Sequence, residues 1–224
     1  MTELLEVLEK FVTPNKKEHI ERVLKKRTRH LTVILEDIFQ PHNASAVVRT
    51  CDCFGIQDLH IIENENRYNI NPKVVMGASK WVDMYNYCIP EVNNTVSCLT
   101  NLKQKGYKIV ATSPDADCLS IDELPLDEPI ALVFGTELTG ISDEVVKMTD
   151  EKITIPMYGF TESLNISVSA AIILHQLTNR LHKSDVNWQL TDEEKNEIRF
   201  DWYKKSVNRS EVIIESYQNK LNDV

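Results

Sequence analysis

The chain contains no apolar run approaching the ~18–20 residues that a spanning helix requires, which excludes a membrane-crossing helix. Its start, Met1-Thr2-Glu3-Leu4-Leu5-Glu6, is acidic and has no basic segment ahead of an apolar core, so no secretory signal is read there. Cysteine is scarce and odd in number. The five residues Cys51, Cys53, Cys88, Cys98 and Cys118 cannot all pair, and without a signal they read as reduced thiols. Cys51-x-Cys53 has no second pair at metal-site spacing, and both are expected as buried thiols in an apolar helix, so no metal is expected. There is no Gly-Lys-Ser/Thr phosphate loop and no G-x-G-x-x-G, which opposes a generic nucleotide-binding protein. Nor is there an excess of cations: 25 Lys+Arg stand against 34 Asp+Glu, a formal charge of −9. Internal repeats, low-complexity tracts and flexible linkers are also missing. A soluble, cytoplasmic protein without a membrane partner is expected.

What is present is more specific. The 224 residues suffice for one domain with appended elements, and 42% hydrophobic with 26% charged residues is ordinary globular composition. The acidity is uneven. Between Asn15 and His30 seven cations (Lys16, Lys17, Arg22, Lys25, Lys26, Arg27, Arg29) oppose only Glu18 and Glu21, a local charge of 7 − 2 = +5. That stretch reads either as a solvated helix face or as a phosphate-contacting arm.

Strand patterns at Leu31–Glu36, Leu59–Ile62, Trp81–Tyr87, Tyr107–Ala111, Ile130–Phe134 and Lys152–Ile155 alternate with helix patterns at Ala44–Phe54, Val92–Lys105, Ser142–Met148 and Ala170–His182. Such alternation predicts an α/β fold with a largely parallel sheet. Thr191-Asp-Glu-Glu194 opens a purely helical tail running to about Leu221. The expected layout is a basic helical extension over 1–30, a core over 31–183 and a helical extension over 184–224.

Three segments carry residues that chemistry could use. In Gln40–Thr50, Asn43 has the character of an N-cap, and Arg49 is the only cation in an otherwise small and apolar helix. Arg49 could pair with Asp52 at i+3 or grip a phosphate with its planar fork. In Gly135–Gly140, directly after an apolar strand, Glu137 would repel a phosphate but suits a cation or hydrogen-bond donor, while a tight turn alone would also explain the glycines. In Ile155–Ser169, polar residues at 163, 165, 167 and 169 alternate like a strand yet run straight into helix. Local conflicts of this kind mark functional or strained sites.

Together the segments Asn43–(five residues)–Arg49-Thr50 with Gly55, Leu132-Val-Phe-Gly-Thr-Glu-Leu-Thr-Gly-Ile-Ser142, and Ile155-Pro-Met-Tyr-Gly with Ser163-Leu-Asn-Ile-Ser167 resemble the three motifs of the SpoU/TrmH family of SPOUT RNA 2′-O-ribose methyltransferases. They occur in family order and span most of the core. Pro41-His42-Asn43, Ser79-Lys80-Trp81-Val82 and Ala111-Thr112 resemble the branch that methylates guanosine 18 of tRNA. The resemblance implies a sheet whose C-terminal part is tied in a deep trefoil knot, a topology too rare to read from pattern. It implies S-adenosyl-L-methionine as cofactor, held around Thr112, Gly135, Ile155, Met157 and Leu164. It implies Asn43, Arg49, Glu137, Ser163 and Asn165 as the catalytic set, tRNA as substrate and a homodimer. With it, the basic arm becomes an expected RNA contact through Lys25, Lys26, Arg27 and Arg29. Ribosomal RNA, the tRNA wobble ribose, and a catalytically silent RNA-binding module are the alternatives.

Overall fold

Leu31–Glu36 is β-branched and apolar on both faces, so it cannot lie on a surface, and every one of its residues is buried. The same holds for Ile130–Phe134. Strands of this kind belong inside a parallel sheet covered by helices on both sides. The computed structural model describes residues 2–69, 71–114, 118–136 and 139–222. In chain order its elements are α1 (Thr2–Glu9), α2 (Pro14–Leu24), β1 (Leu31–Glu36), α3 (Pro41–Phe54), β2 (Asp58–Ile62), α4 (Pro72–Val75), a 3-10 turn over Ala78–Lys80 and β3 (Asp83–Tyr87). There follow α5 (Asn94–Gln104), β4 (Lys108–Thr112), β5 (Leu119–Ser120), β6 (Ile130–Phe134), α6 (Asp143–Met148), β7 (Glu151–Thr154), α7 (Ile166–Leu181), α8 (Asp192–Ser206) and α9 (Ser210–Asn222).

The chain forms two compact units, one from the residues up to Arg27 with those from Gln189 onward, the other Thr28–Trp188. In the second unit seven parallel strands lie in the order β3-β2-β1-β6-β4-β7-β5. The late strand β6 enters between β1 and β4, with Leu35 opposite Phe134. Alternate residues feed two cores. Val33, Leu35, Leu132 and Phe134 face α3 and α7, whereas Ile34, Ala131 and Val133 face α5 and α6. Each buried Val, Leu, Ile or Phe side chain contributes roughly 1.5–3 kcal/mol.

In the other unit, α1 packs on α8 and α9 and α2 packs on α8. Thr191 and Glu194 form the expected reciprocal cap of α8, with Glu194 N–H donating to Thr191 Oγ1 at 3.2 Å and Thr191 N–H to Glu194 Oε2 at 2.7 Å. The helical tail is not continuous. It breaks between α8 and α9, where Arg209 takes φ +56°.

Two helices start three or more residues ahead of the sequence reading. The helix expected from Ala44 begins at Pro41, whose fixed φ suits a first turn. Asn43 is therefore inside the first turn rather than capping it. The alternating segment 163–169 is extended only to Asn165, which caps α7 by accepting from Ser167 N–H at 2.9 Å. A cap that strong overrides the period of two. In α3, Cys51 is buried as expected but Cys53 is exposed, because a two-residue step turns it about 200° away from the core.

Candidate active site

Ligands of parallel α/β proteins lie beyond the carboxyl ends of the strands. Here a cavity of about 490 Å³ opens beyond β4, β6 and β7, against the N-terminus of α7. Strand β4 delivers Thr112, Ser113 and Pro114, β6 delivers Phe134, Gly135 and Thr136, and β7 with its following turn delivers Ile153, Ile155 and Met157. Glu162, Ser163, Leu164, Ile166, Ser169 and Ile173 close it from the α7 side.

The turn leaving β6 fixes much of this shape. Thr136 and Gly140 exchange backbone hydrogen bonds of 2.9 and 3.1 Å, Thr139 N–H donates to Thr136 Oγ1 at 3.0 Å, and Gly140 takes φ +72°. A Cβ on Gly135 would stand 2.2 Å from Gly140 O, so only glycine fits. The glycines are a turn requirement and a cavity wall at once. Thr112 Oγ1 donates to Val133 O at 3.1 Å, which joins the two strand ends under the cavity.

All five residues expected around the cofactor, Thr112, Gly135, Ile155, Met157 and Leu164, line this one cavity, and Ser163 lines it with them. The rest of the expected catalytic set is placed differently. Asn165 Nδ2 donates to Asn43 Oδ1 at 3.2 Å, and Asn43 Nδ2 donates to Gln40 Oε1 at 3.3 Å, so the two asparagines join the starts of α3 and α7. Neither lines the cavity. Arg49 is exposed on α3, on the side away from Val47, Val48 and Cys51, and does not line the cavity either. Glu137 lies outside the described residues.

The basic arm divides. Lys25 and Lys26 are exposed. Arg27, by contrast, is 1% exposed with its guanidinium 5.2 Å from the Trp202 ring centre. Arg29 pairs with Asp58 at 3.2 Å and Asp83 at 3.3 Å. Arg27 is thus packed within its unit and the half-buried Arg29 balances two carboxylates, whereas Lys25 and Lys26 present their charge at the surface. A cation next to an aromatic and partly desolvated is held there by the ring's quadrupole.

His60 is buried in β2, with its ring stacked 5.0 Å from that of Tyr85, and its Nδ1 has no hydrogen-bond partner among the described residues. Burial first, then the nearby Lys105 charge, pushes its pKa down to about 4. Among the described residues no group of three His, Cys, Asp or Glu side chains could hold a metal ion, and no helix is long and apolar enough to cross a membrane.

A fully parallel seven-stranded sheet whose middle strand ends in a glycine turn over a cavity of this size defines a small-molecule-binding α/β protein. The chain belongs to the SpoU rRNA Methylase family, whose model matches residues 30–175. It is 43% identical over 207 residues to the tRNA (guanosine(18)-2′-O)-methyltransferase of Borreliella burgdorferi, covering 92% of this chain and 93% of that protein. The crystal structure of the Aquifex aeolicus TrmH/SpoU tRNA modifying enzyme superposes with a TM-score of 0.74 at 35% identity, over 86% of this chain and 98% of that one. AviRb of Streptomyces viridochromogenes, solved in complex with AdoMet, shares the fold at a TM-score of 0.60 and 21% identity, over 73% of this chain and 62% of that one.

Proposed function

We propose that this chain transfers a methyl group from S-adenosyl-L-methionine to the ribose 2′-hydroxyl of guanosine 18 in tRNA. The observation that carries the reading is the convergence of Thr112, Gly135, Ile155, Met157, Leu164 and Ser163 on one cavity beyond β4, β6 and β7. The activity printed for the relative of 43% identity, matched over nearly its whole length, supports the choice of substrate.

The cavity fits such a cofactor. It combines apolar walls from Ile155, Leu164 and Met157 with backbone groups of two turns, and about 490 Å³ is ample for a ligand of that size. When bound, S-adenosylmethionine supplies a methyl group on a sulfonium, open to attack by an oxygen lone pair. This chain's own residues do the positioning. Arg49 orients the hydroxyl and a neighbouring phosphate through its planar fork of donors. The hydroxyl's proton passes to that phosphate late in the transfer. Orientation alone can lower a barrier by several kcal/mol. Ser163 sits in the cavity wall, the Asn43–Asn165 pair sets the α7 entrance beside it, and Glu137 joins them by its place in the sequence. Lys25 and Lys26 provide exposed positive charge for RNA phosphates in an otherwise acidic chain.

Two further features belong to this reading. The insertion of β6 between β1 and β4 suits a knotted path for the C-terminal part of the core. A homodimer would supply what the cavity lacks. Arg49 does not line the cavity of its own chain, while Val168 and Ile172, four apart on α7, are 45% and 40% exposed, and Tyr158 and Phe160 are fully exposed. A second copy covering these apolar side chains would bring its own Arg49 to the cavity.

The cofactor claim is tested by calorimetry in chelator. S-adenosylmethionine and its demethylated product should bind without added metal, and absence of binding by both would remove the cofactor and with it the reaction.

A further inference from the structure

Glu36 ends β1 with a carboxylate that is 2% exposed. A charge so buried is costly unless donors surround it. Three do. Thr95 Oγ1 and Ser142 Oγ each donate to Oε1 at 2.7 Å, and Ser142 N–H donates to Oε2 at 3.0 Å. Two of these three come from Ser142, the N-cap of α6, whose Oγ also accepts from Val145 N–H at 3.3 Å.

Ser142 is where the turn leaving β6 ends. The turn's entry is already fixed to β1, because Phe134 pairs with Leu35 in the sheet. Its exit is fixed to the next residue of the same strand, Glu36. Between the two anchors lie Gly135, Thr136, Thr139, Gly140 and Ile141, all of them cavity wall. We infer that Glu36 is a positioning residue for the cofactor turn: it does not line the cavity, but its carboxylate closes the turn on β1 and so sets the cavity's shape. The inference rests on the proposed use of that cavity for S-adenosylmethionine.

The bonds separate the positioning role from general stability. Thr95 belongs to α5 and shares Oε1 with Ser142 Oγ, so Thr95→Ala removes one donor while both bonds from Ser142 keep their acceptors. Glu36→Gln keeps one oxygen for Ser142 N–H, and the two hydroxyls can rotate to accept from the new amide. Glu36→Ala removes every acceptor.

Amide hydrogen exchange over Thr136–Ser142 without cofactor, and the Kd for S-adenosylmethionine by calorimetry, should be measured on wild type and the three variants. For Glu36→Ala we expect exchange at least about tenfold faster and a Kd at least about tenfold weaker, the scale of a lost charge-assisted bond. Glu36→Gln should recover most of both, and Thr95→Ala should leave both within about threefold while lowering the Tm. Unchanged exchange in Glu36→Ala, or a loosened turn with wild-type Kd, would overturn the inference, as would equal effects from Thr95→Ala. Should the wild-type chain itself bind no S-adenosylmethionine, the functional reading is what fails. The exchange comparison then decides alone whether Glu36 holds the turn, with no change sinking it.

Discussion

Buried ionisable side chains carry much of the physical tension in this chain, and His60 carries it with a pH signature. Its pKa is lowered by burial to about 4, below the value near 6.5 of an unfolded chain. Between those values the unfolded state holds a proton that the folded state does not, so stability rises with pH across the window and is lost as pH falls from about 6.5 to about 4. The slope from this one group is about 1.4 kcal/mol per pH unit. His60→Phe should flatten the acid side of a denaturant-midpoint profile in that window, and an unaltered profile would contradict the assignment. Arg27 and Arg29 make the opposite point at the same scale. As letters they belong to a run of charge +5, but in space one lies on Trp202 and the other between Asp58 and Asp83. Which cations of a basic stretch face water depends on partners more than a hundred residues away for Arg27 and some thirty to fifty for Arg29.

Among the elements, the turn from Gly135 to Ile141 makes the firmest demand. A methyl group at Gly135 would sit 2.2 Å from a backbone oxygen that cannot move aside without breaking the Thr136–Gly140 pairing. Gly135→Ala should therefore cost about 2–4 kcal/mol of stability through overpacking. It should abolish measurable cofactor binding in whatever fraction stays folded, which a thermal melt with and without S-adenosylmethionine would read. Strands were legible in the sequence because apolar β-branched runs such as Leu31–Glu36 and Ile130–Phe134 have one stable place, the interior of a parallel sheet. Helix beginnings were less so. Pro41 starts α3 ahead of its apolar stripe, and Asn165 starts α7 inside a segment whose alternation imitates a strand, since capping acts through one or two side chains and leaves little periodic trace. The two-residue strand β5 and the single turn α4 are too short to have any period at all. Gly135 and Ser163 stood out because small residues beside a strand end conflict with their neighbours' propensity. Glu36 did not, because a single acid closing an apolar strand looks like an exit to solvent.

At the scale of the molecule, the central claim joins the cavity in Thr28–Trp188 to an RNA substrate. If the chain forms a homodimer with shared sites, two inactive variants can help each other. Mixing Arg49→Ala with Asn165→Ala chains should restore part of the activity, at most about a quarter for random pairing in which one of two sites per mixed dimer is intact. No recovery, together with a monomer by light scattering at micromolar concentration, would contradict the shared site. The order of the sheet could not have been read from the chain, because the placing of β6 between β1 and β4 is a relation between distant segments that no local pattern encodes. The family resemblance supplied the function where periodicity supplied only the class. The most direct test is to incubate the protein with unmodified tRNA and S-adenosylmethionine and map the methylated nucleotide by mass spectrometry. The account predicts 2′-O-methylguanosine at position 18, with the product lost in Arg49→Ala while most tRNA affinity remains. A methyl group found only at the wobble ribose, or transferred only to ribosomal RNA, would contradict it.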